Sequence, residues 1–122
     1  MDLGLYELVG EEGLARVTRA FYERVRSDPI LGPMYPEQDW DGAEERLRDF
    51  LVGRFGGPQR YVERRGHPRL RMRHARFAID ADARDAWVAH MTAAIEAAEL
   101  PVEAADPMRR FLSETATFLI NR

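Results

Sequence analysis

The segment GHPRLRMRH, residues 66–74, decides how the rest of this chain is interpreted. Its Gly-His-Pro opening is typical of a break in regular structure. Residues 69–76, which follow the proline, are long enough for about two turns of helix. Leu70 and His74 lie four positions apart and therefore share one face of that predicted helix. The segment thus presents a single imidazole on a short and very basic helix.

His74 has two interpretations at this point. A lone histidine is more often a packed or solvated side chain than a metal ligand. The spacing of His67, His74 and His90 does not form a local zinc motif. A metal held by His74 alone would need its remaining ligands from outside the protein, as a porphyrin supplies. We expect His67 to be a surface loop residue and His90 to be solvated or partly packed.

Arginines surround His74. Residues 54–76 carry a net charge of +7, whereas residues 1–53 carry −6 and residues 77–122 carry −4, which sums to −3. Such a local excess predicts an anionic partner, either a polyanion such as RNA or a cofactor with carboxylate groups. Few aromatic residues stand near enough to stack on bases, and the acidic balance of the chain opposes nucleic-acid binding. We expect most of these arginines to form a charged face paired with acidic helices, and a few to bind an anion.

Length and composition narrow the class of protein. A chain of 122 residues predicts a single domain over 1–122. The absence of cysteine excludes disulfide scaffolds, cysteine-ligated zinc, iron–sulfur clusters and thiol enzymes. The sequence has no run of about 20 apolar residues, so no membrane-spanning helix is predicted. The first residues lack the basic start and apolar stretch of a secretory signal, so we expect a cytoplasmic location.

The apolar spacing predicts helices nearly throughout and no strand, which indicates an all-α domain. A short turn at 3–8 is expected to end in a break at 9–13. Leu14, Val17, Phe21 and Val25 then fall at the spacing of one apolar helix face. Asp80 and Asp106-Pro107 are the predicted starts of the last two long helices, with 101–105 either a separate turn or an earlier segment kinked at Pro107. In the second long helix, Asp49 is expected to face water. The predicted helices span 12–27, about 40–54, part of 58–69, 69–76, 80–100 and 106 onward.

Tyr22, Tyr35 and Trp87 each combine a large ring with one hydrogen-bond donor. Taken singly, each predicts core packing with its donor satisfied by a carbonyl. The chain has neither the nucleophile elbow of a hydrolase nor a phosphate-binding glycine loop. The candidate functional residues are therefore these aromatic residues and the histidine, since neither of these catalytic motifs is present.

Segment 66–74 is accompanied by MYP at 34–36, GAEERLR at 42–48, FGGP at 55–58, DAW at 85–87 and FLINR at 118–122. With these residues the chain resembles the group II truncated hemoglobins over nearly its whole length. The family fold is a shortened globin, whose helices pack two over two around heme b. The resemblance implies that His74 binds the heme iron through one ring nitrogen and donates the other N–H outward, to a backbone carbonyl.

The resemblance also assigns Tyr22, Tyr35 and Trp87 to the distal pocket as the catalytic residues, and a tryptophan at the last position is typical of groups II and III. A hydrogen bond to a charged group contributes about 1.5–3 kcal/mol. Two donors to a partly negative ligand would therefore slow its release by about 10²–10⁴-fold. Slow release suits redox chemistry better than oxygen transport. Which tyrosine points its hydroxyl at the ligand stays open at this stage.

The resemblance further implies a set of heme contacts around His74, the one metal ligand. Arg46, Tyr61 and Arg73 are the implied propionate-binding residues, and Leu47 is expected to press on the distal face. The full set of implied heme-binding residues is His74, Arg46, Leu47, Leu51, Phe55, Tyr61, Leu70, Arg73, Phe77 and Trp87. Departures from the family pattern at Gly10-Glu11, Arg76 and Asp106-Pro107 concern helix ends.

The implied function is the binding of oxygen, nitric oxide, carbon monoxide or peroxide at a heme. Nitric oxide dioxygenation or peroxidase-like turnover would need an unidentified reductase. A heme sensor or ligand store without turnover is the first alternative, and an arginine-rich helical module that binds a polyanion is the second. Members of the family occur as monomers and as homodimers, and we expect neither a nucleic-acid nor a membrane partner.

Overall fold

The computed structural model describes residues 4–122, so Leu3 of the predicted N-terminal turn lies outside the described residues. Within that range the chain forms helices and two short 3-10 turns but no strand, which confirms the all-α prediction. None of these helices is both long and apolar enough to span a bilayer. The helices are α1 (Leu5–Val25), α2 (Trp40–Arg54), α3 (Arg60–Arg65), α4 (Leu70–His74), α5 (Ala81–Ala97) and α6 (Val102–Phe118), and the 3-10 turns span Gly32–Met34 and Glu37–Asp39.

Helix α1 is the centre of the packing, because it contacts α2, α5 and α6, and α5 also packs along α6. The apolar face predicted for α1 has no exposed surface. Burying one such side chain contributes about 1.5–3 kcal/mol. These contacts position the far end of α1, where Tyr22 lies. The buried face consists of Leu14, Val17, Phe21 and Val25.

The helix break predicted at residues 9–13 is limited to one residue in the structure. Gly10 alone leaves the helical conformation, with φ 72° and ψ 169°, and the helix continues on both sides of it. Glycine adopts a positive φ without steric cost, so a single residue bends α1 without ending it. Gly13, which was expected to lie in the break, is a buried helical residue.

Helix α6 begins at Val102 rather than at the predicted Asp106-Pro107 start. Pro107 lies inside the helix and, because it lacks an N–H, forfeits one backbone hydrogen bond. Ala104 and Met108, on either side of the proline, are fully buried, and this burial offsets the loss. Of the two alternatives for residues 101–105, the structure therefore has the helical segment and not a separate turn.

The remaining helix ends follow the sequence more closely. Asp80 caps α5 as predicted, because its Oδ1 accepts a hydrogen bond from the Ala83 N–H at 2.9 Å. Helix α5 ends before Leu100, and Glu99 then takes a left-handed conformation with φ 53°. Helix α4 is shorter than the predicted 69–76, because Arg69 is itself left-handed, with φ 43°.

Asp49 contradicts the prediction that it faces water, since its side chain is 7% exposed. Arg60 Nη1 lies 3.5 Å from one carboxylate oxygen, and Arg64 Nη1 lies 3.3 Å from the other. Both arginines come from α3, which packs against α2. The prediction failed because the position of Asp49 on α2 does not reveal that α3 covers it.

Gly57, which follows α2, is packed too tightly to accept a side chain. A Cβ there would lie 2.7 Å from the Tyr6 ring and 2.8 Å from a Val52 methyl group. We expect Gly57→Ala to lower the free energy of unfolding by about 1–3 kcal/mol, because overpacking forces buried groups apart. Gly53→Ala is the matched control, since its added methyl group meets only the end of the Gln59 side chain. Urea unfolding measures both variants, and equal losses would contradict the prediction.

Candidate functional site

His74 is the last residue of α4, and one hydrogen bond orients its ring. Nδ1 lies 2.7 Å from the carbonyl oxygen of Leu70, one turn earlier. A carbonyl oxygen can only accept, so Nδ1 carries the proton and Nε2 keeps a free lone pair. Within residues 4–122 no group forms a hydrogen bond to Nε2. The half-buried imidazole is therefore in the tautomer that binds a metal through Nε2.

Helix α4 is held mainly by side-chain to backbone hydrogen bonds and has little packing on other helices. Arg73 donates to the carbonyl oxygens of Arg65 and Pro68, at 2.8 and 2.7 Å. Arg71 donates to the carbonyl oxygen of Phe118, at 2.6 Å. These bonds attach α4 at both ends and leave the residues around His74 only partly covered.

Asn121 fastens the segment that follows His74. Its side-chain amide donates to the Phe77 carbonyl at 3.0 Å, and its Oδ1 accepts from the Ile79 N–H at 2.9 Å. Its backbone N–H also donates to the Ile79 carbonyl, at 2.8 Å. The FLINR segment at the end of the sequence thus holds the region of His74 in place.

The three polar aromatics predicted for the distal side come together around Phe21. The Tyr22 and Trp87 rings lie edge-on to Phe21, with centroids at 5.0 and 5.1 Å. Tyr35, just after the first 3-10 turn, lies edge-on to Tyr22 at 5.5 Å. Helices α1 and α5 and this turn therefore bring the three side chains into one cluster.

The electrostatics distinguish the two tyrosines. Burial raises the pKa of both phenols, and that of Tyr22 lies well above its usual value. The hydrogen bond between the two hydroxyls raises the pKa of Tyr22 further and lowers that of Tyr35. Two hydroxyls that share one hydrogen bond leave one of their two protons without an acceptor in the pair. Among the described residues, the Tyr35 hydroxyl has no hydrogen-bond partner other than Tyr22, and the Trp87 indole N–H has no acceptor.

The implied propionate-binding residues lie in different environments. Arg46 pairs with Asp39, with Nη2 at 3.0 Å from the carboxylate. Tyr61 is buried edge-on to Phe50, at 5.8 Å between ring centroids. The guanidinium of Arg73 lies 5.8 Å from the centre of the Tyr61 ring. Arg73 and Tyr61 are therefore brought together, whereas Arg46 lies near the tyrosine pair, whose pKa values its charge lowers slightly.

The implied apolar contacts also divide into two groups. Leu51 and Phe55 have no exposed surface, and Phe55 packs edge-on to Phe111 at 5.7 Å. Leu47, Leu70 and Phe77, in contrast, are only partly buried, as are Tyr35 and Trp87. The partly covered residues are the ones that an additional apolar group would bury further.

The arginines around His74 are largely accounted for. Arg60 forms ion pairs with Glu11 and Asp49, and Arg64 pairs with Asp49 and Glu45. This arrangement is the expected charged face paired with acidic helices. Two further arginines cover aromatic rings: Arg71 lies over Phe118 at 5.3 Å and Arg76 over Phe77 at 4.9 Å. His67 lies in the loop as expected, exposed and accepting a hydrogen bond from the Arg69 N–H.

Sequence reasoning missed two aromatic residues of this region. Trp40, the first residue of α2, stacks on Tyr35 with ring centroids 5.1 Å apart. Phe50 lies one turn beyond Leu47 on α2 and contacts Tyr61. The helical spacing predicts that Phe50 lies on the same side of α2 as Leu47, but it did not indicate a contact with Tyr61. Nothing local could have indicated Trp40, because its contact with Tyr35 depends on the path of the intervening turns.

The chain is similar in sequence to known proteins over almost its whole length. Residues 4–121 match the family described as bacterial-like globin. The group 2 truncated hemoglobin YjbI of Bacillus subtilis (strain 168) is 38% identical over 117 residues, which cover 96% of this chain and 88% of that protein. This chain belongs to the bacterial-like globins.

Solved globin structures agree with this assignment. A thermostable hemoglobin from the actinobacterium Thermobifida fusca is 50% identical, with a TM-score of 0.92 and 96% of both chains covered. A truncated oxygen-avid haemoglobin from Bacillus subtilis is 38% identical, with a TM-score of 0.90 and coverage of 95% and 98%. The predicted relationship to group II truncated hemoglobins and the two-over-two fold are thus confirmed. Membership of the globins implies a heme and a gaseous ligand such as oxygen.

The residues of this globin fit a heme. Within residues 4–122 no group of three potential protein ligands could hold a metal ion alone. A metal on His74 would take its other ligands from a non-protein group, as a porphyrin supplies. The free Nε2 of His74 is a suitable iron ligand. The unpaired indole N–H of Trp87 and the partly buried apolar residues Leu47 and Phe77 offer a donor and apolar surface to such a group.

The raised pKa of Tyr22 predicts a loss of stability in alkali. A group whose pKa is higher in the folded chain holds its proton there after the unfolded chain, with a pKa of about 10, has released it. The free energy of unfolding should therefore fall as the pH rises above about 10. We expect Tyr22→Phe to flatten this decline. Urea unfolding at a series of alkaline pH values measures it, and parallel curves for variant and wild type would contradict the assignment.

Proposed function

We propose that this globin is a single-domain heme b protein, over residues 1–122, that binds oxygen and other diatomic ligands with His74 as the iron ligand. The observation that carries the proposal is the 2.7 Å hydrogen bond from His74 Nδ1 to the Leu70 carbonyl. It leaves Nε2 unprotonated and free. When bound, the heme supplies an iron that takes up diatomic ligands and undergoes one-electron redox chemistry.

Residues on both sides of His74 are proposed to hold the heme. The guanidinium groups of Arg46 and Arg73 and the hydroxyl of Tyr61 suit the carboxylate groups of a porphyrin, because charge-assisted hydrogen bonds to carboxylates are strong. The partly buried side chains of Leu47, Leu70, Phe77 and Trp87 are proposed to exclude water from the ring. Leu51 and Phe55, which the protein itself covers completely, are proposed to support this surface from the core.

Tyr35 and Trp87 are proposed to donate hydrogen bonds to the bound ligand. The Trp87 N–H has no acceptor among the described residues, and one hydroxyl proton of the Tyr22–Tyr35 pair stays free for a ligand. Tyr35 is proposed to carry that proton because it is only partly buried, whereas Tyr22 is buried. Tyr22 accordingly acts by orienting Tyr35. Each donor to a partly charged ligand contributes about 1.5–3 kcal/mol, so the pair slows ligand release by about 10²–10⁴-fold.

Slow ligand release favours redox turnover over oxygen transport as the function. The turnover would be the reaction of bound oxygen with nitric oxide, or the reaction of peroxide. A reductase would then supply electrons, and we propose a cytoplasmic protein that works as a monomer or a homodimer. The solved relative described as an oxygen-avid haemoglobin supports tight oxygen binding. A sensor or ligand store would use the same residues without turnover, and assays with nitric oxide and peroxide distinguish these roles.

The absorption spectrum tests the heme proposal. We expect the purified chain, with hemin added where needed, to give a heme Soret band that shifts after dithionite and carbon monoxide. His74→Ala should weaken heme binding at least tenfold, which corresponds to about 1.4 kcal/mol. His67→Ala, which alters an exposed loop histidine, is the matched control and should match the wild type.

Two outcomes would contradict this proposal. A colourless chain that takes up no hemin would exclude the heme, and tight, salt-sensitive RNA binding by that chain would favour the polyanion alternative. A His74→Ala spectrum and heme affinity equal to those of the wild type would assign the iron ligand elsewhere.

Ligand-release kinetics test the donor role of Trp87. Trp87→Phe keeps an aromatic ring but loses the indole N–H, so we expect oxygen release to be at least about tenfold faster. Tyr6→Phe, which removes a phenol at the opposite end of α1 from Tyr22, should leave the rate unchanged. Stopped-flow displacement of oxygen by carbon monoxide measures the rates. An unchanged rate in Trp87→Phe would remove Trp87 from this role.

A further inference from the structure

A partly buried hydrogen-bond network outside the residues assigned so far links α1, α5 and the segment that leads to Tyr35. His90 Nε2, on α5, lies 2.6 Å from Asp28 Oδ2, and Arg24 Nε donates to His90 Nδ1 at 3.1 Å. Because Nδ1 accepts, the imidazole proton lies on Nε2 and is donated to the carboxylate. The side chains of His90 and Asp28 are only 17% and 12% exposed.

Asp28 organises the turn that follows α1. Its second oxygen, Oδ1, accepts hydrogen bonds from the N–H groups of Ile30 and Leu31, both at 2.8 Å. Its backbone carbonyl accepts from the Gly32 N–H at 2.9 Å. The carboxylate is therefore anchored to α5 through one oxygen and shapes the turn through the other.

The hydrogen bonds continue from this turn to Tyr35. The Leu31 carbonyl accepts from the Met34 N–H at 3.0 Å, and the Gly32 carbonyl accepts from the Tyr35 N–H at 3.2 Å. Tyr35 lies outside the α-helices, at the end of the 3-10 turn. Its backbone position thus depends on the turn that Asp28 holds.

Helix α5 carries both His90 and Trp87, one turn apart. The same helix thus bears one proposed ligand donor and, through His90 and Asp28, holds the turn that bears the other. The His90 hydrogen bond and the backbone N–H donors lower the pKa of Asp28, so the carboxylate accepts all of these bonds as an anion.

We propose that His90 and Asp28 are positioning residues that fix the orientation of Tyr35 relative to Trp87. This inference rests on the proposed role of Tyr35 as a ligand donor. Without His90, Asp28 loses its attachment to α5, and residues 29–35 sample more conformations. Tyr35 then spends less time in the donating orientation, because a donor is effective only when its geometry is preorganised.

Amide hydrogen exchange of the purified chain, with and without added hemin, tests the positioning directly. We expect the amides of Ile30, Leu31 and Gly32 to exchange at least about fivefold faster in His90→Ala than in the wild type. His90→Gln should restore most of the protection, because its amide N–H replaces the donor at Nε2. Asp80→Ala, which removes the cap at the other end of α5, is the matched control and should leave these amides unchanged.

A double-mutant cycle on oxygen release tests whether His90 acts through Tyr35. His90→Ala should speed release at least about threefold in the wild-type background and have no effect in Tyr35→Phe, because a positioning residue is silent once its target group is gone. His90→Gln should release oxygen at nearly the wild-type rate.

Each result has a defined meaning. Unchanged turn amides in His90→Ala overturn the proposal, as do additive effects of the two substitutions on release. If Tyr35→Phe alone leaves release unchanged, the donor role of Tyr35 fails and the positioning role falls with it. The amide result then still shows whether the network holds the turn, so the two failures are distinguishable.

Discussion

The hydrogen bond from His74 Nδ1 to the Leu70 carbonyl is the interaction on which the candidate site depends. It fixes one tautomer and leaves Nε2 as a free base. A helix of one turn has little stability of its own, so α4 cannot keep this geometry alone. Arg71 and Arg73 of α4 donate hydrogen bonds to backbone carbonyls outside the helix, and Asn121, near the end of the chain, fastens the segment that follows it.

The aromatic cluster holds its polar groups in apolar surroundings. Burial keeps the phenols of Tyr22 and Tyr35 protonated, and their mutual hydrogen bond leaves one hydroxyl proton uncommitted. The Trp87 N–H is uncommitted as well. Donors that a fold holds in place and leaves unpaired can stabilise a ligand without first reorganising, which is the role proposed for Tyr35 and Trp87.

Apolar periodicity located the helices well because each long helix buries one face. The four apolar residues Leu14, Val17, Phe21 and Val25 of α1 were predicted and are all buried, whereas the burial of Thr18 beside them was not predicted. The predictions failed where a neighbouring element decided the outcome. Asp49 is buried because α3 covers it, and Pro107 is tolerated inside α6 because burial on both sides outweighs one lost hydrogen bond.

The sequence by itself determined the helical fold, the family and the identity of the residues proposed to act, since segment 66–74 and the positions of Tyr22, Tyr35 and Trp87 are read directly from it. Only the structure decided which nitrogen of His74 is free, that Tyr22 and Tyr35 lie against each other, and how His90 is joined to Asp28. The first property depends on the geometry of one helical turn, and the other two depend on distances between residues that are separated in the chain. The local spacing of apolar residues predicts which face of a helix is buried, but the direction of a hydrogen bond depends on the partner that the fold brings within reach.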